Sequence, residues 1–205
     1  MLTTELSRTT HARVSGLDLD RNFLTFAHSR DSKTRYLLGD GSRLPCASNA
    51  FDLVLCHFFL LWVNDPLRAL LEMKRVTRPG HAVLALAEPD YGGRIDYPAS
   101  LAELGRQQTE GLRRAGANPL VGRELAGLFS RAGFTNVETG VLGGEWRHSL
   151  PAREQQSEWT TLQMDLGYQI STDRLEKLAA VETAAYASGE RVLFVPTFYG
   201  IGWVG

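Results

Sequence analysis

Two cysteines, Cys46 and Cys56, are too few and too widely spaced for a disulfide framework or a CxxC pair in this chain of 205 residues. No stretch reaches the ~18 uninterrupted apolar residues of a spanning helix. The amino terminus also has no basic segment followed by an apolar one and a small-residue cleavage site. These absences give the expectation of a cytoplasmic protein with no membrane association. Charge of one sign is missing too: 22 basic against 23 acidic residues leave a formal net charge of −1, which disfavours nucleic acid as a partner. There is no internal repeat and no low-complexity tract. Both cysteines read as structural, Cys56 because its neighbours are apolar.

What remains is a chain 43% hydrophobic and 22% charged, enough for one domain with a sizeable core but not for two full domains. Residues 2–10 read as the last turns of a helix. Arg13-Val14-Ser15-Gly16-Leu17-Asp18-Leu19-Asp20 reads as a strand with an acidic carboxyl end. Asp20 is placed to cap a helix over 22–29, and residues 34–38 form a second strand stopped by Gly39-Asp40-Gly41. Residues 51–57 are a nearly continuous apolar run, the pattern of a strand buried on both faces. Asn64-Asp65-Pro66 starts a helix that Arg78-Pro79-Gly80 ends, and another strand follows over 81–87. Helices over 100–115, 121–131, 151–168 and 172–187 and a strand over 135–141 come next. The closing apolar run is interrupted at Pro196, which favours a bulge or an edge position. Strands alternating with helices give an α/β fold, mostly parallel, with helices on both faces.

Four segments, in this order and spacing, carry a resemblance: Val14-Ser15-Gly16-Leu17-Asp18, Gly39-Asp40-Gly41-Ser42-Arg43-Leu44-Pro45, Phe51-Asp52-Leu53-Val54 and Arg75-Val76-Thr77-Arg78-Pro79-Gly80. Together they resemble the class I S-adenosylmethionine-dependent methyltransferases of the small-molecule, type 11-like kind, closely over residues 2–90 and weakly beyond. The resemblance implies a Rossmann-like fold, S-adenosyl-L-methionine as cofactor and direct methyl transfer to a small-molecule acceptor. It implies that Asp18 accepts from both ribose hydroxyls and that Leu19 packs on the adenine face. Asp40 would accept from the adenine amino group, with the backbone of Gly41 and Ser42 at the ring edge. On the residues alone, Asp18 could simply end a strand or cap the next helix, Leu19 could equally be core, and Gly39-Asp40-Gly41 could be a tight turn.

Cys56 and His57 emerge at the carboxyl end of the central strand, where open α/β sheets bind ligands. Cys56 belongs to the expected cofactor set, and His57 is the candidate general base, against the alternative of a packed histidine among Phe58, Phe59, Leu60, Leu61 and Trp62. Glu88, Asp90 and Tyr91 are candidates to line the acceptor pocket, the paired carboxylates suiting a cation or an amine. Without His or Cys at ligand spacing beside them, no metal is expected. A helical cover over about 146–187, rich in Trp146, Trp159, Met164, Tyr168 and Tyr186, either lines the acceptor site or forms its own core. The expected organisation is a single domain, 1–205, with a cofactor-binding half at 1–97 and a substrate-side half at 98–205.

One departure stands out. The family's acidic-x-Gly-x-Gly loop, between the first strand and first helix, occurs nowhere in this sequence. The expectation is that the reading frame starts late and the first strand and loop lie upstream, or that the protein is a degenerate relative. Either way the fold should lack its first strand and expose sheet edges, favouring a homo-oligomer or a protein partner. The competing readings are a noncatalytic methyltransferase-like interaction subunit and a nicotinamide-dependent oxidoreductase, since an acidic residue after the second strand suits that cofactor too.

Overall fold

The computed structural model describes residues 2–143, 152–166 and 170–205. Its amino-terminal part runs α1 (Leu2–Thr9), β1 (Ser15–Asp18), α2 (Arg21–Arg30), β2 (Arg35–Leu38), β3 (Phe51–Cys56), α3 (Pro66–Val76) and β4 (Thr77–Pro89). Local chemistry sets the helix starts. The Asp20 carboxylate accepts from Asn22 N at 2.7 Å to cap α2. Asp65 accepts from Arg68 N at 2.9 Å ahead of Pro66, whose missing N–H costs nothing in the first turn. The carboxyl-terminal part follows as β5 (Ile95–Tyr97), α4 (Ala102–Arg114), α5 (Val121–Arg131), β6 (Thr135–Leu142), α6 (Ala152–Leu166), α7 (Thr172–Ala187), β7 (Val192–Phe194) and β8 (Thr197–Trp203).

The main sheet has the order β3-β4-β8-β6, with β3 and β4 parallel and β8 antiparallel to both of its neighbours. The fold class is α/β as expected, and the sheet is mixed where the sequence pattern suggested a mostly parallel one. Pro196 accounts for a second difference. It divides the closing run into two strands in different sheets, β7 beside β5 and β8 inside the main sheet. Its missing donor falls just before the first ladder residue of β8, Thr197, so an interior strand follows a proline without losing a bond.

The main core lies between this sheet and the packed pair α3 and α5, with Leu70, Val83, Ala85, Leu125 and Phe129 almost wholly buried. Phe129 lies directly on β8. A Cβ on Gly200 or Gly202 would come within 2.8 or 2.7 Å of its ring, so glycine there is the condition for the ring's seat. A second cluster, Leu101, Leu104, Leu162, Leu166 and Leu178, packs α4 against α6 and α7, the helices of the cover expected over about 146–187.

Strands β1 and β2 form a separate parallel pair, with Asp18 opposite Leu38. Among the described residues β1 shares no strand pairing with β3, so each has one unpaired edge, and Leu53 on β3 is half exposed. The pair is tied to the main body through the segment after β2. Arg75 donates to the carbonyls of Leu44 and Cys46 at 3.1 and 2.9 Å, and Leu44 packs on the main core.

Candidate functional site

The expected site residues lie at the carboxyl ends of β1, β2 and β3. Because β1 and β2 run parallel in register, the end of one strand brings Asp18 next to the turn that holds Asp40, and Gly39 N donates to the Asp18 carbonyl at 3.0 Å. Asp18 accepts from Asp20 N at 2.8 Å through Oδ1. Its Oδ2 has no partner among the described residues. Asp40 accepts from Ser42 N and Ser42 Oγ, both at 2.8 Å, again through Oδ1 alone. Those two bonds hold its carboxyl below the usual aspartate range. The Gly-Asp-Gly turn is therefore real, and it leaves Oδ2 of Asp40 pointing to no protein donor among the described residues.

The loop after β3 reaches the same place. A Cβ on Gly41 would lie 2.4 Å from the Phe59 ring, so these two segments touch only because residue 41 has no side chain. The structure thus brings together Asp18, the Asp40-Gly41-Ser42 turn and Phe59. Leu19 is 74% exposed and takes no part in the core.

Cys56 and Glu88 behave differently from their sequence assignment. Glu88 is completely buried and turned toward β3, accepting from Phe59 N at 3.0 Å, Leu61 N at 3.3 Å and Cys56 Sγ at 3.8 Å. Burial pushes its carboxyl above the usual glutamate range despite those donors. The Cys56 thiol is pushed well up by burial and by the Glu88 charge. Its side chain is buried in the main core against Glu88, leaving its backbone toward the site edge. Glu88 and Asp90 do not form the carboxylate pair expected for a cation. Asp90 is held by Arg123 at 2.6 and 2.7 Å and caps Gly92 N at 3.0 Å. Glu88 lies within β4 while Asp90 lies just past its end, and the two side chains reach different partners. His57 is exposed and meets Phe58 edge-on at 4.8 Å, with no carboxylate orienting it among the described residues.

A second concavity of about 240 Å³ opens beyond the end of β4, lined by Tyr91, Arg94, Gln108, Trp159, Glu182 and Arg191 among others. Behind it runs a buried ionic network. Arg191 bonds Glu182 at 2.8 Å and Asp96 at 3.0 Å, and Arg94 bonds both oxygens of Asp96 at 2.6 and 3.0 Å. Arg94 also bonds Gln108, whose amide donates to Asp165 at 2.6 Å. Sequence reasoning did not find this network. Its signal was present as polar residues inside apolar helical stripes, Gln108 between Leu104 and Leu112 and Glu182 four residues after Leu178. Trp159 lines this cavity and packs on the cover's own core. Tyr186 faces a neighbouring groove between α6 and α7, and Met164 is 76% exposed. Trp146 and Tyr168 lie outside the described residues. Among the described residues no cluster of three His, Cys, Asp or Glu side chains could hold a metal, and no helix is long and apolar enough to cross a membrane.

With this geometry in view, comparison with known proteins is direct. Residues 1–85 match the family described as Methyltransferase domain. An uncharacterized methyltransferase of Schizosaccharomyces pombe is 35% identical over 138 residues, covering 67% of this chain and 48% of that protein. Across curated relatives of this kind the matched region spans 29 to 61% of their own length. Among solved structures, a Haloferax volcanii methyltransferase in complex with the Trm112 methyltransferase activator superposes with a TM-score of 0.59 at 18% identity, covering 98% of this chain and 76% of that one. Phosphoethanolamine N-methyltransferase 2 of Haemonchus contortus, bound to phosphomonomethylethanolamine and S-adenosylhomocysteine, gives 0.60 at 14% identity, covering 98% and 45%.

Proposed function

We infer that this chain, whose fold and amino-terminal half are those of the class I S-adenosylmethionine-dependent methyltransferases, binds S-adenosylmethionine and directs its methyl group to a small-molecule acceptor. The observation that carries this is the meeting of Asp18 and Asp40 at one edge of a parallel strand pair, each with a carboxylate oxygen that no donor among the described residues uses. Two such oxygens suit two sets of donors on one nucleoside, the ribose hydroxyls and the adenine amino group. Gly41 lets the Asp40 turn close onto Phe59, which shapes the floor between the nucleoside edge and the end of β3. When bound, the cofactor supplies a methyl group activated by a sulfonium. The protein's part is then binding and alignment, with Glu88 fixing the loop over 57–61 through its backbone N–H groups.

A second reading draws on the unpaired edges of β1 and β3, which suit a protein partner adding a strand. Equilibrium dialysis with labelled S-adenosylmethionine and labelled NAD tests the first reading. Retention of the former alone is expected. Retention of NAD alone, or of neither, refutes it.

A further inference from the structure

We propose that Glu72 and Arg75 of α3 are positioning residues for the adenine end of the cofactor site, acting through the strap 42–48 that they grip. The proposal rests on the methyltransferase reading for the word cofactor, while the grip itself stands on the geometry.

Topology makes such a grip necessary. The β1-β2 pair leads to Asp18 and Asp40, whereas Phe59 belongs to the loop after β3, and no ladder joins β1 to β3 among the described residues. What sets one half of the nucleoside edge against the other is the chain between β2 and β3. Residues 39–50 hold no helix or strand, only the isolated bridge of Asp40 with Arg43, so their backbone groups take partners from elsewhere.

Helix α3 supplies those partners from one face. Arg68, Glu72 and Arg75 stand four and three residues apart, the spacing that stacks side chains along a helix. Arg68 Nε donates to the Ser42 carbonyl at 3.2 Å. Leu44 is held at both backbone groups: its N–H donates to Glu72 Oε2 at 2.9 Å, and its carbonyl accepts from Arg75 Nη2 at 3.1 Å. Arg75 Nη1 reaches the Cys46 carbonyl at 2.9 Å and Ser48 Oγ at 3.3 Å. With both Glu72 oxygens also bonded at 2.8 Å, all five guanidinium N–H donors are spent. A lysine has three donors and no fixed fork.

The turn at stake ends two residues before Leu44. Ser42 N and Oγ hold Asp40 Oδ1, and Gly41 meets Phe59 with no room for a Cβ. A displaced strap would carry Asp40 Oδ2 away from an adenine amino group while leaving Asp18 on β1 in place. The side chains of Arg75 and Glu72 are 35% and 20% exposed, and pairs so placed contribute little to stability, so geometry is what this one supplies. Arg75 also opens one of the four segments shared with the methyltransferases, and the nucleoside edge makes no other use of it.

The test compares adenosine with purine riboside, the same nucleoside without the amino group, by NMR titration into the full chain. Wild type is expected to prefer adenosine about tenfold. In Arg75→Met the preference should fall to about threefold or less, with purine riboside bound within about twofold of wild type. Glu72→Gln keeps the volume and an acceptor for Leu44 N, so its preference should fall between the two; it carries both readouts if Arg75→Met does not fold. Arg75→Lys should not restore the full preference. The second readout needs no ligand. The Ser42 and Arg43 amides, both bonded to Asp40, should exchange hydrogen about tenfold faster in Arg75→Met, with the β8 amides unchanged. Equal weakening of both nucleosides, which a purely structural role gives, an unchanged preference, or unchanged exchange at Ser42 and Arg43 overturns the proposal. If wild type binds neither nucleoside, the functional reading fails, and the exchange rates alone decide whether α3 holds the turn.

Discussion

Arg191→Met should cost this protein about 3 kcal/mol of stability, near the lower end of the ~3–5 kcal/mol expected when one partner of a buried ion pair is removed. The guanidinium is 2% exposed and sits between Asp96 at 3% and Glu182 at 8%. Losing it does not orphan Asp96, which keeps both bonds from Arg94. Glu182 does lose its only cation among the described residues, and the carbonyls of Val192 and Tyr97 lose a donor. At roughly 2–4 °C per kcal/mol for a chain of this size, the midpoint should fall by about 6–12 °C. Thermal unfolding followed by tryptophan fluorescence measures the midpoint, and urea unfolding the free energy. The double variant Arg191→Met with Glu182→Met removes both charges and should recover most of the loss, since an apolar pair of similar volume is close to neutral. A single variant within about 1 kcal/mol of wild type, or a double variant as unstable as the single, refutes the reasoning.

Further consequences follow from the site edge. Glu88 has a raised carboxyl, so its protonated form favours the fold: the stability it contributes is full below the ordinary glutamate range and is lost as pH rises through the raised value. Glu88→Gln should therefore gain on wild type as pH climbs above the ordinary glutamate range, measured as the difference in urea midpoint; a constant difference contradicts this. Gly41→Ala should cost about 1–3 kcal/mol by forcing the Phe59 ring away, and Phe59→Leu in the same chain should return part of it. Equal losses in single and double variants would show that the contact is not the cause. The Cys56 thiol should react with a thiol reagent only on unfolding, because burial and Glu88 hold it protonated, while Cys46 is partly exposed. Native-state labelling at Cys56, read by mass spectrometry, would contradict its inward orientation.

Local chemistry made much of this fold readable before any coordinates. Asp20 and Asp65-Pro66 announced their helices, α7 falls on the residues its pattern indicated, and the Asp40 turn was written in its glycines. Long-range pairing was not legible. Nothing near Pro196 says that β8 runs between β4 and β6, because that position is decided by strands more than fifty residues upstream. The ionic network joins Arg191 to Asp96 across 95 residues, so only its isolated polar marks, Gln108 and Glu182, could be seen in advance. At the site, residue type was legible and side-chain direction was not. Glu88 and Asp90 share a strand end, yet one braces the loop after β3 and the other pairs with Arg123.

The nucleoside edge is tested most directly by calorimetric titration of S-adenosylhomocysteine into wild type, Asp18→Ala and Asp40→Ala. Saturable binding is expected in wild type, with each substitution weakening it about tenfold or more through loss of a charge-assisted acceptor. Absence of binding to wild type, or binding unchanged in both variants, would contradict the placement of the cofactor at Asp18 and Asp40.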